Sequence, residues 1–360
     1  MENLILFFGG DSCENDISVI TAFSAYKALI YTYNIFPIYI KNGKLLHIKN
    51  MQKIGNLSNF ANMNFAEVNI SNGKIKFKNF FKKSKNVFCA VICNHGGTGE
   101  NGSLQGYLNV AKIPYTSSDV FASSVFMDKE YTKYFIDGIC DTVPFFVARK
   151  NKEIDCSSIE FPVIVKPARL GSSVGIGIAH NEEELKERMN FAFEFDNKVI
   201  IEKALTQFIE LNCAAFRKGE EIIISDIERP IFNNEYYDFD TKYTSRDMGE
   251  REFPAKISDD LTDKIKEITE IVYKKSEAKG VIRIDFLYDG KLYLNEVNTV
   301  PGSLAFYLFK NNGVDFRSLL VNMIEEGVKD FKEKESLITD FDSSVLENIN
   351  SEKLFDGLKK

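Results

Sequence analysis

Residues Gly280–Phe309 read GVIRIDFLYDGKLYLNEVNTVPGSLAFYLF. Two β-rich runs, Val281–Tyr288 and Leu292–Val297, flank Asp289-Gly290. An Asp-Gly pair between apolar runs is a hairpin signal, because such turns need residues that accept positive φ. Side chains alternate faces along a strand, so Arg283 and Asp285 share one face and Glu296 and Asn298 share another. Folding the hairpin brings a cation, two carboxylates and an amide together. Left alone, these groups suit a solvated surface hairpin. With a phosphate chain nearby, the oxygen donors suit Mg²⁺.

The chain has 360 residues, enough for two or three domains, and 44% of them are hydrophobic, enough for real cores. Charged residues make up 27% and are interspersed, which argues against disorder. A net charge of −7 offers no electrostatic case for nucleic acid. The six cysteines (Cys13, Cys89, Cys93, Cys140, Cys156 and Cys213) form neither a CxxC nor a metal-spaced set with histidine, and fit free thiols in a reducing cytoplasm. The apolar run Leu4–Phe8 is too short for a signal core, and no stretch is long enough for a membrane span.

Along the chain, Leu4–Phe8, Gly9-Gly10 and Ile17–Tyr31 read as strand, glycine turn and helix, the opening of an α/β unit. Glu14 in that turn is a helix-cap acid or a group aimed at a ligand amine. Residues 41 to 85 are hairpin-like. Val87–Cys93 predicts a strand that ends in His95-Gly96-Gly97-Thr98-Gly99-Glu100-Asn101-Gly102, a loop at the strand end where α/β ligands bind. Val120–Gly138 predicts one helix carrying Lys129. The strand Phe161–Lys166, a small-residue loop through Ser172 and Ser173, and the strand Ile176–Ala179 suggest a flap able to close over phosphates. Val199–Leu205 is a strand running into a connector whose backbone can read a base edge. Residues 231–255 form a long aperiodic loop that holds Lys242 and Tyr243, a length more often functional than not. Asp259–Glu277 and Asp315–Phe331 read as helices. The expected fold class is α/β (α+β), divided at 1–120, 121–210 and 211–360.

The motifs GGDSCENDIS (9–18), HGGTGENGSLQG (95–106), MDK (127–129), VKPARLGSSVGIG (165–177), IIEK (200–203), YYDFDTKY (236–243), RIDF (283–286) and NEVNTVPG (295–302) occur in this order. In that set the chain resembles the D-alanine–D-alanine ligases of the ATP-grasp superfamily, from Leu4 to about Gly327. The resemblance implies a three-domain ATP-grasp architecture with a doubly wound-like first domain. It also implies ATP and Mg²⁺ (Mn²⁺ as the alternative) as cofactors and D-alanine as substrate, with a homodimer by analogy. It assigns Lys129 and Lys166 to the ATP phosphates, Glu202, Lys203 and Leu205 to the adenine connector, and Glu210 to the ribose. Ser172 and Ser173 would sit on the flap, and Lys242 would reach the γ-phosphate. Asp285, Glu296 and Asn298 would hold the metal. Glu14 would hold the first ammonium, with Tyr243 and Ser172 closing the substrate region, and Arg283 with the Gly302 amide would bind the oxyanion.

The implied chemistry makes an acyl phosphate from one D-alanine and lets the amine of a second attack it. The same chemistry with D-serine as second substrate, and a nucleotide-binding module without catalysis, are the competing readings. Two departures from the family pattern stand out. Glu14-Asn15-Asp16 replaces an acid–base turn, and the segment after Gly302, Ser303–Phe309, is shorter than usual. Tyr243 stands where depsipeptide-forming relatives tend to carry histidine, which favours an amine nucleophile.

Overall fold

The computed structural model describes residues 1–51, 60, 63–78, 84–152, 154, 158–231, 250–339 and 343. Lys242 and Tyr243 lie outside the described residues, so their expected roles are not placed.

A seven-stranded sheet comes first, built from β1 (Asn3–Gly9), β2 (Asn34–Lys41), β3 (Lys44–Ile48), β4 (Phe65–Ser71), β5 (Lys74–Phe77), β6 (Lys85–Asn86) and β7 (Cys89–Ile92), in the order β6-β5-β4-β3-β2-β1-β7. Only β2-β1-β7 is parallel; β2 through β6 form an antiparallel meander. The doubly wound character is thus confined to three strands, where helix α1 (Asn15–Leu29) crosses from β1 to β2. Short helices α2 (Gly97–Glu100) and α3 (Ser103–Val110) follow β7.

The predicted single helix over 120–138 is two helices, α4 (Val120–Met127) and α5 (Lys129–Phe135). Asp128 breaks it. Its backbone is extended, and its carboxylate accepts from the Glu130 and Tyr131 amides as an N-cap and pairs with Lys198 at 2.5 Å. A second sheet, β10 (Gly177–Ala179), β9 (Val163–Pro167), β11 (Lys198–Lys203) and β8 (Phe145–Arg149), is antiparallel, with helix α6 (Glu182–Ala192) on it. β9 and β10 are the strands of the expected flap, Gly177 pairing with Val165.

The third sheet runs β13 (Glu221–Ile224), β12 (Ile209–Lys218), β16 (Ile282–Tyr288), β17 (Leu292–Asn298). A small pair, β14 (Arg229–Pro230) and β15 (Arg251–Glu252), brackets residues 232–249. Helix α7 (Asp259–Lys275) packs on this sheet through Leu261, Ile265, Ile268 and Val272. Burial of each such aliphatic side chain is worth at most about 1.5–3 kcal/mol. The Ser258 hydroxyl caps it by accepting from the Leu261 amide, with Asp259 and Asp260 in its first turn. The hairpin β16–β17 has a three-residue connection, because Tyr288 pairs with Leu292. Within it only Gly290 has a positive φ, so the turn differs from the two-residue type expected. Phe126 on α4 also packs here, so the helices before β8 side with the third sheet rather than the second.

The C-terminal helix α8 (Phe316–Glu335) returns to the first sheet. Leu319, Leu320, Met323 and Ile324 join Leu4–Phe8 and Val91 in one core with Leu304, Leu308 and Phe309. The segment after Gly302 is therefore clamped between the first and third sheets. Among the described residues no helix is long and apolar enough to cross a membrane.

Candidate active site

The register of β16–β17 sets the centre. Asp285 pairs with Glu296 and Arg283 with Asn298 directly across the ladder, with an irregularity just after Asp285. The Arg283 guanidinium grips Asp285 with both prongs, Nε to Oδ1 at 2.6 Å and Nη2 to Oδ2 at 2.7 Å. Asn298 donates to the same Oδ2 at 3.1 Å. Burial works against the Arg283 charge, but Asp285 outweighs it and holds its pKa well above the usual value. With its amide nitrogen turned to the acids, Asn212 on β12 donates to Asp285 and to Glu210, both at 3.2 Å. Asn212 was missed in the sequence, though it alternates with Glu210 and faces Asp285 in the ladder.

Lys129 opens α5 beside this group. Its Nζ lies 3.5 Å from Glu296 and donates to the Leu170 carbonyl in the flap loop at 2.8 Å. Lys166, next to last in β9, reaches Asn295 at 3.3 Å and Glu202 at 2.5 Å. Glu202 is 3% exposed and also meets Lys133 at 2.6 Å. Burial alone would raise the Glu202 pKa, but Lys166 and Lys133 pull it down to about 2. Burial lowers that of Lys133. The Glu202 carboxylate is thus taken up by lysines, and Lys203, exposed, and Leu205 lie beyond it on the connector to β12. Lys133 was also missed; it sits one helical turn after Lys129.

Glu14 begins α1 yet does not cap it with its side chain. Ser172 in the flap loop donates its hydroxyl proton to that carboxylate instead. The close approach depends on glycines: a Cβ at Gly171 would lie 2.9 Å, and at Gly96 2.6 Å, from Glu14 Oε2. Ser172 and Ser173 both have positive φ, 55° and 58°, so the flap loop is locally strained where it meets Glu14.

Behind Glu14 lies a buried polar layer. Glu100 accepts from the Gly96 amide at 2.9 Å and the Val300 amide at 2.8 Å, tying the loop after β7 to the loop after β17. Burial, then the Glu14 charge, raises the Glu100 pKa to about 7. The unfolded value is near 4.5, so the folded state binds the extra proton between about pH 4.5 and 7. The stability this confers is present at acid pH and lost as pH rises through that window, about 3 kcal/mol in all. Denaturant titrations across pH 4–8 are expected to show this decline in the wild type and a flatter curve for Glu100→Gln.

His95 is buried, with Nδ1 2.6 Å from the Val300 carbonyl and Nε2 2.8 Å from the Thr21 hydroxyl. Burial lowers its pKa; Glu14 raises it and Arg283 lowers it, so both charges act on the ring. The turn after Gly302 is left-handed at three consecutive non-glycine residues, Ser303 (φ 51°), Leu304 (φ 52°) and Ala305 (φ 48°). Each costs roughly 1–2 kcal/mol, so the surroundings must over-determine the shape. The burial of Leu304 and Ala305 and the bond from the Leu304 amide to the Pro301 carbonyl, 2.7 Å, supply part of that.

The oxygen donors Asp285, Glu296 and Asn298 fit a hard cation. Two carboxylates and an amide are too few for a closed protein cage, and among the described residues no group of three or more His, Cys, Asp or Glu is placed to hold a metal ion by itself. Such a set suits a cation that also rides on phosphates. The fold and this arrangement define a nucleotide-using enzyme of the ATP-grasp type. Sequence profiles of the D-ala D-ala ligase N-terminus and C-terminus match residues 3–118 and 145–325. D-alanine–D-alanine ligases from Thermosipho melanesiensis and Thermosipho africanus are 34% and 36% identical. Each alignment spans 96% of this chain, with 98% and 99% of the relative covered. The D-alanine–D-alanine ligase of Helicobacter pylori superposes with a TM-score of 0.75 at 26% identity, covering 91% of this chain and 98% of that one. The VanG D-Ala:D-Ser ligase of Enterococcus faecalis does so at 0.77 and 26%, covering 90% and 98%. The chain belongs to the D-alanine–D-alanine ligase family.

Proposed function

We propose that the enzyme joins two D-alanines in an ATP-dependent reaction, through an acyl phosphate, for peptidoglycan precursor synthesis. The observation that carries this reading is the joined set Arg283–Asp285–Glu296–Asn298 with Lys129 beside it. A module that only bound nucleotide would not need it. D-alanine is favoured over D-serine as second substrate because the 34–36% identical relatives are D-alanine–D-alanine ligases; the solved D-Ala–D-Ala and D-Ala:D-Ser ligases, both at 26%, do not separate the two.

Glu14 holds the ammonium of the first D-alanine, and the flap carrying Ser172 and Ser173 closes over the reacting groups and excludes water. Tyr243 helps close this region. Lys129 and Lys166, with Lys242 from the 231–255 loop, offset charge on the phosphates, and Glu202 fixes Lys166 from behind. The connector Lys203–Leu205 reads the adenine and Glu210 the ribose. Asp285, Glu296 and Asn298 hold Mg²⁺, with Mn²⁺ the alternative; when bound, the cation neutralises phosphate oxygens. Once a second amine attacks the acyl carbon, Arg283 and the Gly302 amide stabilise the oxyanion. A cytoplasmic location accords with the free cysteines Cys13, Cys89, Cys93, Cys140 and Cys213, and domain limits near 120 and 210 follow the three larger sheets except that α4 and α5 pack on the third and β12 already begins at Ile209.

Phosphate release from ATP and Mg²⁺ should depend on D-alanine and equal dipeptide formed; release with no D-amino acid, or none with any, would overturn the reading. Glu296→Gln keeps the side-chain shape and removes a charge. The Mg²⁺ concentration for half-maximal rate is expected to rise by about tenfold or more. An unchanged Mg²⁺ requirement would remove Glu296 from the metal site.

A further inference from the structure

Val300 and Ser303 flank Pro301-Gly302, and both are held by one pair of side chains from the first domain. The Ser303 amide donates to the Thr21 hydroxyl at 3.2 Å. That hydroxyl donates its own proton to His95 Nε2 at 2.8 Å. The direction is fixed because His95 Nδ1 faces the Val300 carbonyl at 2.6 Å and must carry the ring proton there. Thr21 is 1% exposed and lies on α1 in register with Ser18, which accepts from the Gly9 amide, and with Glu14, which accepts from Ser172. One buried polar face of α1 therefore touches the glycine turn, the flap loop and the left-handed turn Ser303–Ala305. That turn is strained, so its surroundings must over-determine its shape, and the Thr21 hydroxyl is the side-chain partner of its first amide.

We propose that Thr21 is a positioning residue that fixes the Ser303–Ala305 turn and thereby sets which second amino acid the site accepts. The inference rests on the ligase reading above. On that reading the Gly302 amide faces the oxyanion, so its neighbour Ser303 borders the acyl group that the second amine attacks, and a turn displaced by a lost hydroxyl changes the fit there. ATP is bound by other elements and is not affected.

Thr21→Val removes the hydroxyl at nearly constant volume. It is expected to raise the KM of the second D-alanine at least tenfold and to reduce the preference for D-alanine over D-serine, with the KM for ATP within twofold of wild type. Thr21→Ser should restore both values to within about threefold. Adding Ala305→Gly to Thr21→Val should recover part of the loss, since glycine tolerates the left-handed conformation. Unchanged amino-acid KM and preference, or equal losses for ATP and amino acid, would overturn the proposal. If Thr21→Val is insoluble, Thr21→Ala reads the same split. Insolubility of both would also overturn it, because the hydroxyl would then serve folding. A wild type that forms no dipeptide would instead refute the ligase reading.

Discussion

Arg283→Ala is expected to lower kcat by about 10²–10³-fold, the usual cost of losing one oxyanion donor, while the KM for ATP changes by no more than about threefold. Arg283 grips Asp285 with two bonds, 2.6 and 2.7 Å long, and Asp285 is 2% exposed. Its removal costs the developing oxyanion a donor and takes the two-bond fork away from the buried Asp285 carboxylate. Arg283→Lys keeps the charge but not the fork, so it should remain at least about tenfold below wild type. Steady-state rates with saturating ATP measure this directly. A loss confined to ATP affinity would remove Arg283 from the acyl-transfer step.

Glu202→Ala is expected to have the largest effect on stability. The carboxylate is 3% exposed and compensates two lysines, Lys133 at 2.6 Å and Lys166 at 2.5 Å. Removing it leaves two cations facing each other between α5 and β9, at a cost of about 3–5 kcal/mol. The thermal midpoint should fall by roughly 4–7 °C, since at about 2.1 cal/mol/K of unfolding entropy per residue each kcal/mol is worth about 1.3 °C in a chain of 360 residues. Lys166 loses its anchor in the same step, so the KM for ATP should rise as well. Glu202→Gln keeps the volume and hydrogen-bonding capacity and should be milder on both readouts. A midpoint within about 2 °C of wild type for the alanine variant would show that the triad is not held as described.

The hairpin carrying the site was legible because alternation is a local rule. Arg283 and Asp285, then Glu296 and Asn298, fall on facing sides, and the observed register pairs them across the ladder. The flap was legible for a similar reason: two β-rich runs joined by small residues. Three features were not. Asp128 splits α4 from α5 because its carboxylate caps the second helix and meets Lys198, a partner far along the chain. Glu202 reads in sequence as the start of a connector, whereas its two lysines come from α5 and β9, which only tertiary packing brings together. The left-handed turn at Ser303–Ala305 has no glycine to announce it. Its shape is held by Thr21, by the buried Leu304 and by the core shared with α8. The shortened segment after Gly302 was visible as a departure; what it becomes was not.

The central claim is that one D-alanine is activated as an acyl phosphate before the second attacks. D-Alanine labelled with ¹⁸O in its carboxylate, incubated with ATP, Mg²⁺ and the enzyme, tests it in one measurement. Phosphoryl transfer to the carboxylate moves one carboxylate oxygen into the phosphate that leaves. Mass spectrometry should therefore find one ¹⁸O in the inorganic phosphate for each dipeptide formed. Unlabelled phosphate accompanying dipeptide formation would contradict the account.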